Sequence, residues 1–174
     1  ETPSLDWQLL TMRPENIERM IPWKVWPRNV WLGTTIENQE AADKRLPHLL
    51  KHKAAVNFVC CTPLLGEIDL AQWIDHRKLH SIDWIIAGGE SGQYGRAMNP
   101  QWARKLRDFC SNNGIPFHFT QWGIWAPSGN KILKIGCVGR TKQVGGELLE
   151  YCNKVNISRE FDGRTWDEFP NHSL

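Results

Sequence analysis

Residues 84–92 read WIIAGGESG, a short apolar run that leads directly into two glycines, a carboxylate and a hydroxyl. A run of this kind, bounded by turn residues, is typical of a strand that is buried on both faces of a parallel sheet. Gly88 and Gly89 lack a Cβ, so a ligand or a neighbouring backbone can come close to them. The segment therefore predicts a buried strand that carries polar groups at its carboxyl end.

The same pattern recurs on both sides of this segment. Short apolar runs alternate with stretches of helical periodicity, which is typical of β/α units and a parallel sheet. The predicted strands cover residues 7–10, 30–36, 56–61, 84–87 and 117–121.

Helix signals lie between these strands. Pro14 and Pro22 bound the first predicted helix, while Asn99 and Gly114 are the expected cap and stop of the clearest one. Two further helical patterns cover residues 42–50, with Pro47 as an expected kink, and more weakly 69–80.

The length of the chain limits the architecture. Five strands and four helices are too few for a closed eight-stranded barrel, which takes about 250 residues. We therefore expect an α/β fold over residues 1–125 that is either an open sheet or one part of a barrel. Residues 126–174 are rich in Gly, Asn and charge, and we expect them to form an irregular or small β appendage folded back over the sheet.

Composition excludes several classes of protein. The 174 residues carry 21 Lys and Arg against 19 Asp and Glu, a net charge of +2 that does not indicate a nucleic-acid partner. No run approaches the roughly 20 apolar residues of a membrane helix, so we expect no membrane association and a cytoplasmic protein. The chain starts with Glu1, so we expect the gene product to begin upstream.

Metal sites receive little support from the sequence. Five cysteines without a C-x-x-C pair predict reduced thiols and no metal cage. Cys60 and Cys61 are neighbours on one strand and would point to opposite faces. The i, i+4 histidine pairs are more typical of solvated helix faces than of ligands. These pairs are His48 with His52 and His76 with His80.

Ligands of parallel β/α folds bind at the carboxyl ends of the strands, and polar residues follow each predicted strand here. Glu90 could accept hydrogen bonds from an ammonium group or from ribose hydroxyls, and Arg13 could bind a carboxylate or phosphate. The candidate ligand-binding residues at these ends are Thr11, Arg13, Thr35, Glu37, Gly88, Gly89, Glu90, Ser91, Gln121 and Trp122.

Each candidate also has a purely structural interpretation. Gly88 and Gly89 would then form a tight turn, and Arg13 would belong to an ion pair. Glu37 would stabilise the start of a helix through its dipole, and Trp122 would pack in the core. The sequence assigns no catalytic residue.

Several motifs together resemble one family. The segments LLTMRPEN, VWLGTTIENQEAADKRLPHLL, FVCCTPLLGEIDL, WIIAGGESGQYGRAMNPQWARKLRDFC, PFHFTQWG and FDGRTWDEFP occur in this order. The series resembles the phage-associated, radical-SAM-like proteins of unknown function, whose full-length members carry a cysteine cluster near the N-terminus. The resemblance covers roughly residues 5–125 and 160–170, and it adds Arg96 to the candidate site residues.

The resemblance implies a radical-SAM type of protein with a TIM-type barrel, of which this chain is the C-terminal portion. It implies S-adenosylmethionine and an iron-sulfur cluster as cofactors, with the cluster ligands upstream of this chain. Gly88, Gly89, Glu90 and Ser91 would then line the cofactor or substrate site. The family pattern usually has an acid at position 62 and a lysine at position 120, where this chain has Thr62 and Thr120.

A second hypothesis is a binding module without a cluster. It would bind a nucleotide or a nucleic acid through Trp and Arg side chains, and it would oligomerise to cover its sheet edges. A non-catalytic relative of the enzymes is a third possibility, which the loss of both charges at Thr62 and Thr120 favours.

Overall fold

A computed structural model of the protein describes residues 4–74, 82–129, 137–152 and 159–171. Its main sheet contains β1 (Trp7–Thr11), β2 (Val30–Thr35), β3 (Val56–Cys61), β4 (Trp84–Ala87) and β5 (Phe117–Phe119). All neighbouring strands are parallel, and their spatial order is their order in the chain. The predicted parallel α/β sheet is therefore confirmed, with β2 and β5 slightly shorter than expected.

In the described part of the chain, three helices connect these strands. A 3-10 turn at Pro14–Asn16 leads into α1 (Ile17–Met20), and the two longer helices are α2 (Gln39–Leu49) and α3 (Pro100–Asn113). The Asn99 side chain accepts a hydrogen bond from the Gln101 amide, and Gly114 has the left-handed φ of 65° that ends many helices. The helix predicted over 69–80 is only a 3-10 turn at Ala71–Trp73 where the structure describes it.

Both long helices pack on one face of the sheet, which we call the helix face. Leu46 of α2 and Leu106 of α3 join strand residues such as Leu32, Val59 and Ile85 in one buried cluster. Crossovers between parallel strands are right-handed, so strands in sequential order place their helices on the same side. The opposite face holds a smaller cluster, formed by Trp31, Val56, Phe58 and Trp84.

The described strands form an open sheet, and no closed barrel is present. β1 and β5 are the two edges and do not pair with each other. The expected TIM-type barrel is thus not confirmed, because five strands leave the two ends of the sheet apart.

The C-terminal strap, residues 159–171, covers the outer edge of β5. Phe119 N–H donates to the Trp166 carbonyl at 2.9 Å, and Glu168 N–H donates to the Phe117 carbonyl at 3.3 Å. The strap therefore satisfies the outward backbone groups of β5 from the antiparallel direction.

A second, antiparallel sheet follows β5. It consists of β6 (Trp125–Pro127), β7 (Cys137–Val144) and β8 (Glu147–Cys152) in the order β6-β8-β7. Ala126 of this sheet and Phe161 of the strap belong to the same buried cluster as the main sheet. Among the described residues, no helix has the length and apolarity required to cross a membrane.

Candidate functional site

The parallel sheet brings the polar strand ends to one edge, as predicted. Gly88 follows β4, and the space where its Cβ would lie is taken by the Thr120 hydroxyl and the Thr62 methyl group. Thr62 and Thr120 therefore meet above Gly88. These are the two positions at which the sequence departs from the charged residues of the family it resembles.

Gly89 is in close contact with the chain that follows β5. A Cβ at this position would collide with the Trp122 carbonyl oxygen, and Gly89 N–H donates to the Gln121 carbonyl at 2.8 Å. Gly123, with φ of 83°, makes the matching approach to the Glu90 backbone. The space beside Gly89 is thus filled by neighbouring backbone, and that beside Gly88 by the side chains of Thr62 and Thr120.

Glu90 is held by Arg96. Its carboxylate accepts from Arg96 Nε at 2.8 Å, from Arg96 Nη2 at 2.7 Å and from the Arg96 backbone N–H at 2.7 Å. These hydrogen bonds lower the pKa of the Glu90 carboxyl to about 2. Arg96 remains largely exposed, so the pair forms a charged rim on the loop after β4, next to the exposed Ser91.

Glu37 forms an ion pair within its own β/α connection. Arg45 of α2 donates to Glu37 Oε2 at 2.6 Å and to the Thr35 carbonyl at 2.7 Å. Asn38 caps α2, since its side chain accepts from the Ala41 N–H at 2.9 Å. Arg45 was not predicted from the sequence; it lies within α2, whose N-cap, Asn38, directly follows Glu37.

Arg13 presents an exposed guanidinium beyond the end of β1. Its backbone N–H donates to the Thr11 hydroxyl at 3.0 Å, which positions the residue at the strand end. Arg13 and Thr11 line one end of an apolar groove of about 260 Å³ beside β1. Arg13 is exposed, and the other candidate cation, Arg96, is paired with Glu90.

Trp122 lies in the core, because it is only 2% exposed. Its indole N–H donates to the Glu160 carbonyl at 2.9 Å, and its ring packs edge-on against Phe119 and Phe161. The ring is therefore not available for stacking on a ligand. Gln121 is partly exposed, and its carbonyl is used by Gly89.

The loop after β3 also organises this edge. Leu64 N–H donates to the Gly88 carbonyl, and Leu65 N–H donates to the Glu37 carbonyl, both at 2.8 Å. The Thr62–Pro63 peptide bond is cis. The segment Pro63–Gly66 thus joins the ends of β2 and β4 through backbone hydrogen bonds. The chemistry of its side chains does not indicate this role.

The thiols do not form a metal site in the described part of the chain. Burial raises the pKa of the Cys61 and Cys110 thiols, and Cys60 Sγ lies 2.9 Å from the Thr62 hydroxyl. Within the four described ranges, no group of three or more His, Cys, Asp or Glu side chains could hold a metal ion. His76 and His80 lie outside those ranges.

The sheet order, the one-sided helices and the polar strand ends define an α/β protein with a candidate ligand site at the carboxyl edge of a parallel sheet. The chain belongs to a family described as "protein of unknown function (DUF5131)", whose model matches residues 1–170. No significant match was found among curated proteins or among solved structures.

Proposed function

We propose that the carboxyl edge of the sheet binds a small molecule with an anionic group, and that the chain is the C-terminal part of a radical-SAM-like barrel protein. The observation that carries the proposal is the sequential parallel sheet with both long helices on one face. Barrels are built from this repeating arrangement, and they bind ligands at the carboxyl ends of their strands. The phage association and the finer family assignment rest on the sequence resemblance.

Two parts of the edge suit such a ligand. Arg13 presents five N–H donors beyond β1, in the planar geometry that matches a carboxylate. Glu90, fixed by Arg96, offers an ionised carboxylate near the exposed Ser91 hydroxyl. S-adenosylmethionine carries both a carboxylate and an ammonium group, so it is the ligand that we propose to test.

The described residues do not fit an iron-sulfur cluster, because no three thiols among them come together. Gly88 and Gly89 do not form an open cradle either, since the protein's own chain fills the space beside them. Ligand contacts at this edge would therefore come from side chains. We assign no catalytic step to these residues.

The test is a titration of S-adenosylmethionine into the protein by calorimetry, with Arg13→Gln as the variant. Loss of a charged hydrogen bond costs about 1.5–3 kcal/mol, so we expect affinity to fall roughly tenfold or more. Arg19→Gln is the matched control, because Arg19 is an exposed arginine on the adjacent helix. Equal affinities for both variants, or no heat of binding to the wild type, would contradict the proposal.

The alternative is a nucleotide- or nucleic-acid-binding module, which the same titration with adenosine and with single-stranded oligonucleotides addresses. Such a module would rely on exposed aromatic rings. Trp7 and Trp23 are exposed, whereas Trp31, Trp84 and Trp122 are buried. Fewer rings are therefore open to stacking than the sequence suggested.

A further inference from the structure

His118 lies at the junction between β5 and the strap, where aromatic rings enclose most of it. Its neighbours on β5, Phe117 and Phe119, belong to the buried cluster on the helix face, so the His118 side chain is on the opposite face of the sheet. The rings of Trp84 and Phe169 pack edge-on against the imidazole at centroid distances of 5.9 and 5.4 Å. The side chain is only 17% exposed. His118 is thus a titratable group at the contact between the strap and the sheet.

The contact with Arg159 fixes the protonation state of this ring. Arg159 Nη2 lies 3.2 Å from His118 Nε2. A guanidinium can only donate hydrogen bonds, so Nε2 must accept, and the imidazole is therefore neutral with its proton on Nδ1. Nδ1 is buried and has no hydrogen-bond partner in the described part of the chain, since Asp167 Oδ1 is 4.0 Å away. This arrangement holds only while His118 is uncharged.

Arg159 also attaches the strap to β5. Its guanidinium forms an ion pair with Asp167, eight residues later in the strap, and donates to the Phe119 carbonyl at 3.4 Å. His118 and Asp167 are themselves partners in the antiparallel bridge between β5 and the strap. One side chain therefore links two parts of the strap to β5, and the imidazole nitrogen is its third contact.

We propose that the contact between the strap and β5 is sensitive to pH, because protonation of His118 at Nε2 expels Arg159 and loosens the strap. The proton comes from solvent and takes the lone pair that accepts from Arg159. Two N–H donors and two positive charges would then face each other across 3.2 Å, so the contact is lost. The imidazolium can instead donate from Nδ1 to Asp167, in place of Arg159. This inference does not depend on the proposed ligand.

The strap supplies the charged groups that face His118, namely Arg159 and Asp167. Strand β4 faces the ring with the uncharged Trp84. Glu168, next to Asp167, directs its carboxylate to a backbone N–H of β5 at 3.0 Å. The imidazole therefore lies between one cation and one anion, and the cation is the closer of the two.

These surroundings weaken the strap in mild acid. Burial and the positive charge of Arg159 lower the pKa of His118 below 6.5, and the charge of Asp167 opposes them in part. A histidine whose pKa is lowered in the folded state contributes its full stability above pH 6.5 and loses it as the pH falls towards the folded pKa. The change thus begins at a higher pH than the titration of ordinary carboxylates.

Nitrogen-15 NMR of the His118 ring tests its protonation state. We expect the Nδ1–H tautomer at alkaline pH and a pKa below 6.5. Arg159→Gln removes the cation beside Nε2 and should raise this pKa, whereas Arg19→Gln, at an exposed arginine of α1, should leave it unchanged. An Nε2–H tautomer, or equal His118 pKa values in the wild type and Arg159→Gln, would overturn the inference.

Hydrogen exchange of the Phe119 amide tests the release of the strap, because this amide donates to the Trp166 carbonyl. After correction for the intrinsic pH dependence of exchange, we expect its protection to fall about threefold or more between pH 7 and pH 5. His118→Gln can still accept a hydrogen bond from Arg159 but cannot titrate, so protection in this variant should not change over the same range.

Two results of this experiment would contradict the release of the strap. An equal pH dependence in the wild type and His118→Gln would show that another group titrates. An equal fall in protection at Val59, in the buried strand β3, would show that the whole sheet loosens. If His118→Gln does not fold, Arg159→Gln is the second variant, and its pH dependence should be smaller than that of the wild type.

Discussion

The Glu90 carboxylate accepts three hydrogen bonds from a single residue, Arg96. The backbone donor and the two guanidinium donors together join Glu90 to Arg96, six residues later in the loop after β4. An isolated ion pair at this exposure would stabilise little. The backbone N–H is what makes the arrangement specific, because it fixes the position of Arg96 as well as its charge.

The hydrogen bonds between Glu90 and Arg96 predict that the free energy of unfolding depends on pH. The pKa of Glu90 is lowered from 4.5 to about 2 in the folded protein, so its contribution is complete above pH 4.5 and is lost as the pH falls towards 2. We expect Glu90→Gln to lower the urea midpoint at pH 7 and to approach the wild-type value near pH 2. Urea unfolding at a series of pH values measures this difference.

Glu15→Gln provides the control, at an exposed glutamate of the first 3-10 turn. A gap between wild type and Glu90→Gln that stays constant from pH 7 to pH 2 would show that the carboxylate charge does not stabilise the loop.

For single residues, the sequence predicted the kind of environment around a side chain better than it predicted which group would contact that side chain. Gly88 and Gly89 indicated close approach, and close approach is present. A glycine pattern cannot distinguish a ligand from Trp122 of the same chain, because both require the same missing Cβ. Arg45 and Arg96 pair with the carboxylates of Glu37 and Glu90, which the sequence analysis had proposed as ligand-binding groups.

Among the elements, the strap is attached to α3 by Asp162. This residue has a left-handed φ of 51°, in a turn with Gly163, and its carboxylate accepts from Arg104 at 2.8 Å and Arg107 at 2.5 Å. These arginines lower the pKa of Asp162. The Arg107 guanidinium also lies 5.1 Å from the centre of the Phe161 ring.

We predict that Asp162→Asn destabilises the protein by about 1 kcal/mol, since asparagine tolerates the left-handed backbone but lacks the charge. The value is at the low end for charged hydrogen bonds because the site is partly exposed. Asp108→Asn is the control, at a more exposed partner of Arg107, and should cost less than about 0.5 kcal/mol. Similar losses in the urea unfolding of both variants would show that Asp162 does not hold the strap.

The parallel strands were predictable because burial on both faces leaves a continuous apolar run. The strap was not, since its pairing with β5 joins residues 117–119 to 166–168. Nothing local in either segment specifies the other. Of the helix predicted over 69–80, the described residues 69–74 contain a 3-10 turn at Ala71–Trp73 with Leu70 buried, and residues 75–80 lie outside the described ranges.

At the scale of the whole molecule, the strap contributes to the hydrophobic core and also covers one edge of the main sheet. Phe161 is fully buried against Phe117, Phe119 and Trp122. Trp84 Nε1 also donates to the Glu168 carbonyl at 2.9 Å on the opposite face. Removal of the strap would therefore uncover aromatic core and a strand edge at once.

We predict that a chain ending at residue 158 loses the cooperative unfolding transition and associates, because an exposed apolar edge strand is a template for aggregation. Size-exclusion chromatography with light scattering and a thermal melt measure both effects. Phe169→Ala is the control that retains the strap backbone, since Phe169 is 52% exposed. A monomeric truncated protein with a sharp transition would contradict this role of the strap.

The unequal treatment of the two sheet edges has a practical consequence for handling the protein. A purification tag or fluorescent fusion placed before Glu1 joins the chain a few residues before Trp7, the first residue of the edge strand β1. The same tag placed after Leu174 follows the strap, whose backbone pairs with β5 at the opposite edge of the sheet. Assays of assembly or ligand binding should therefore use carboxyl-terminal tags, which follow the edge of the sheet that the strap already covers.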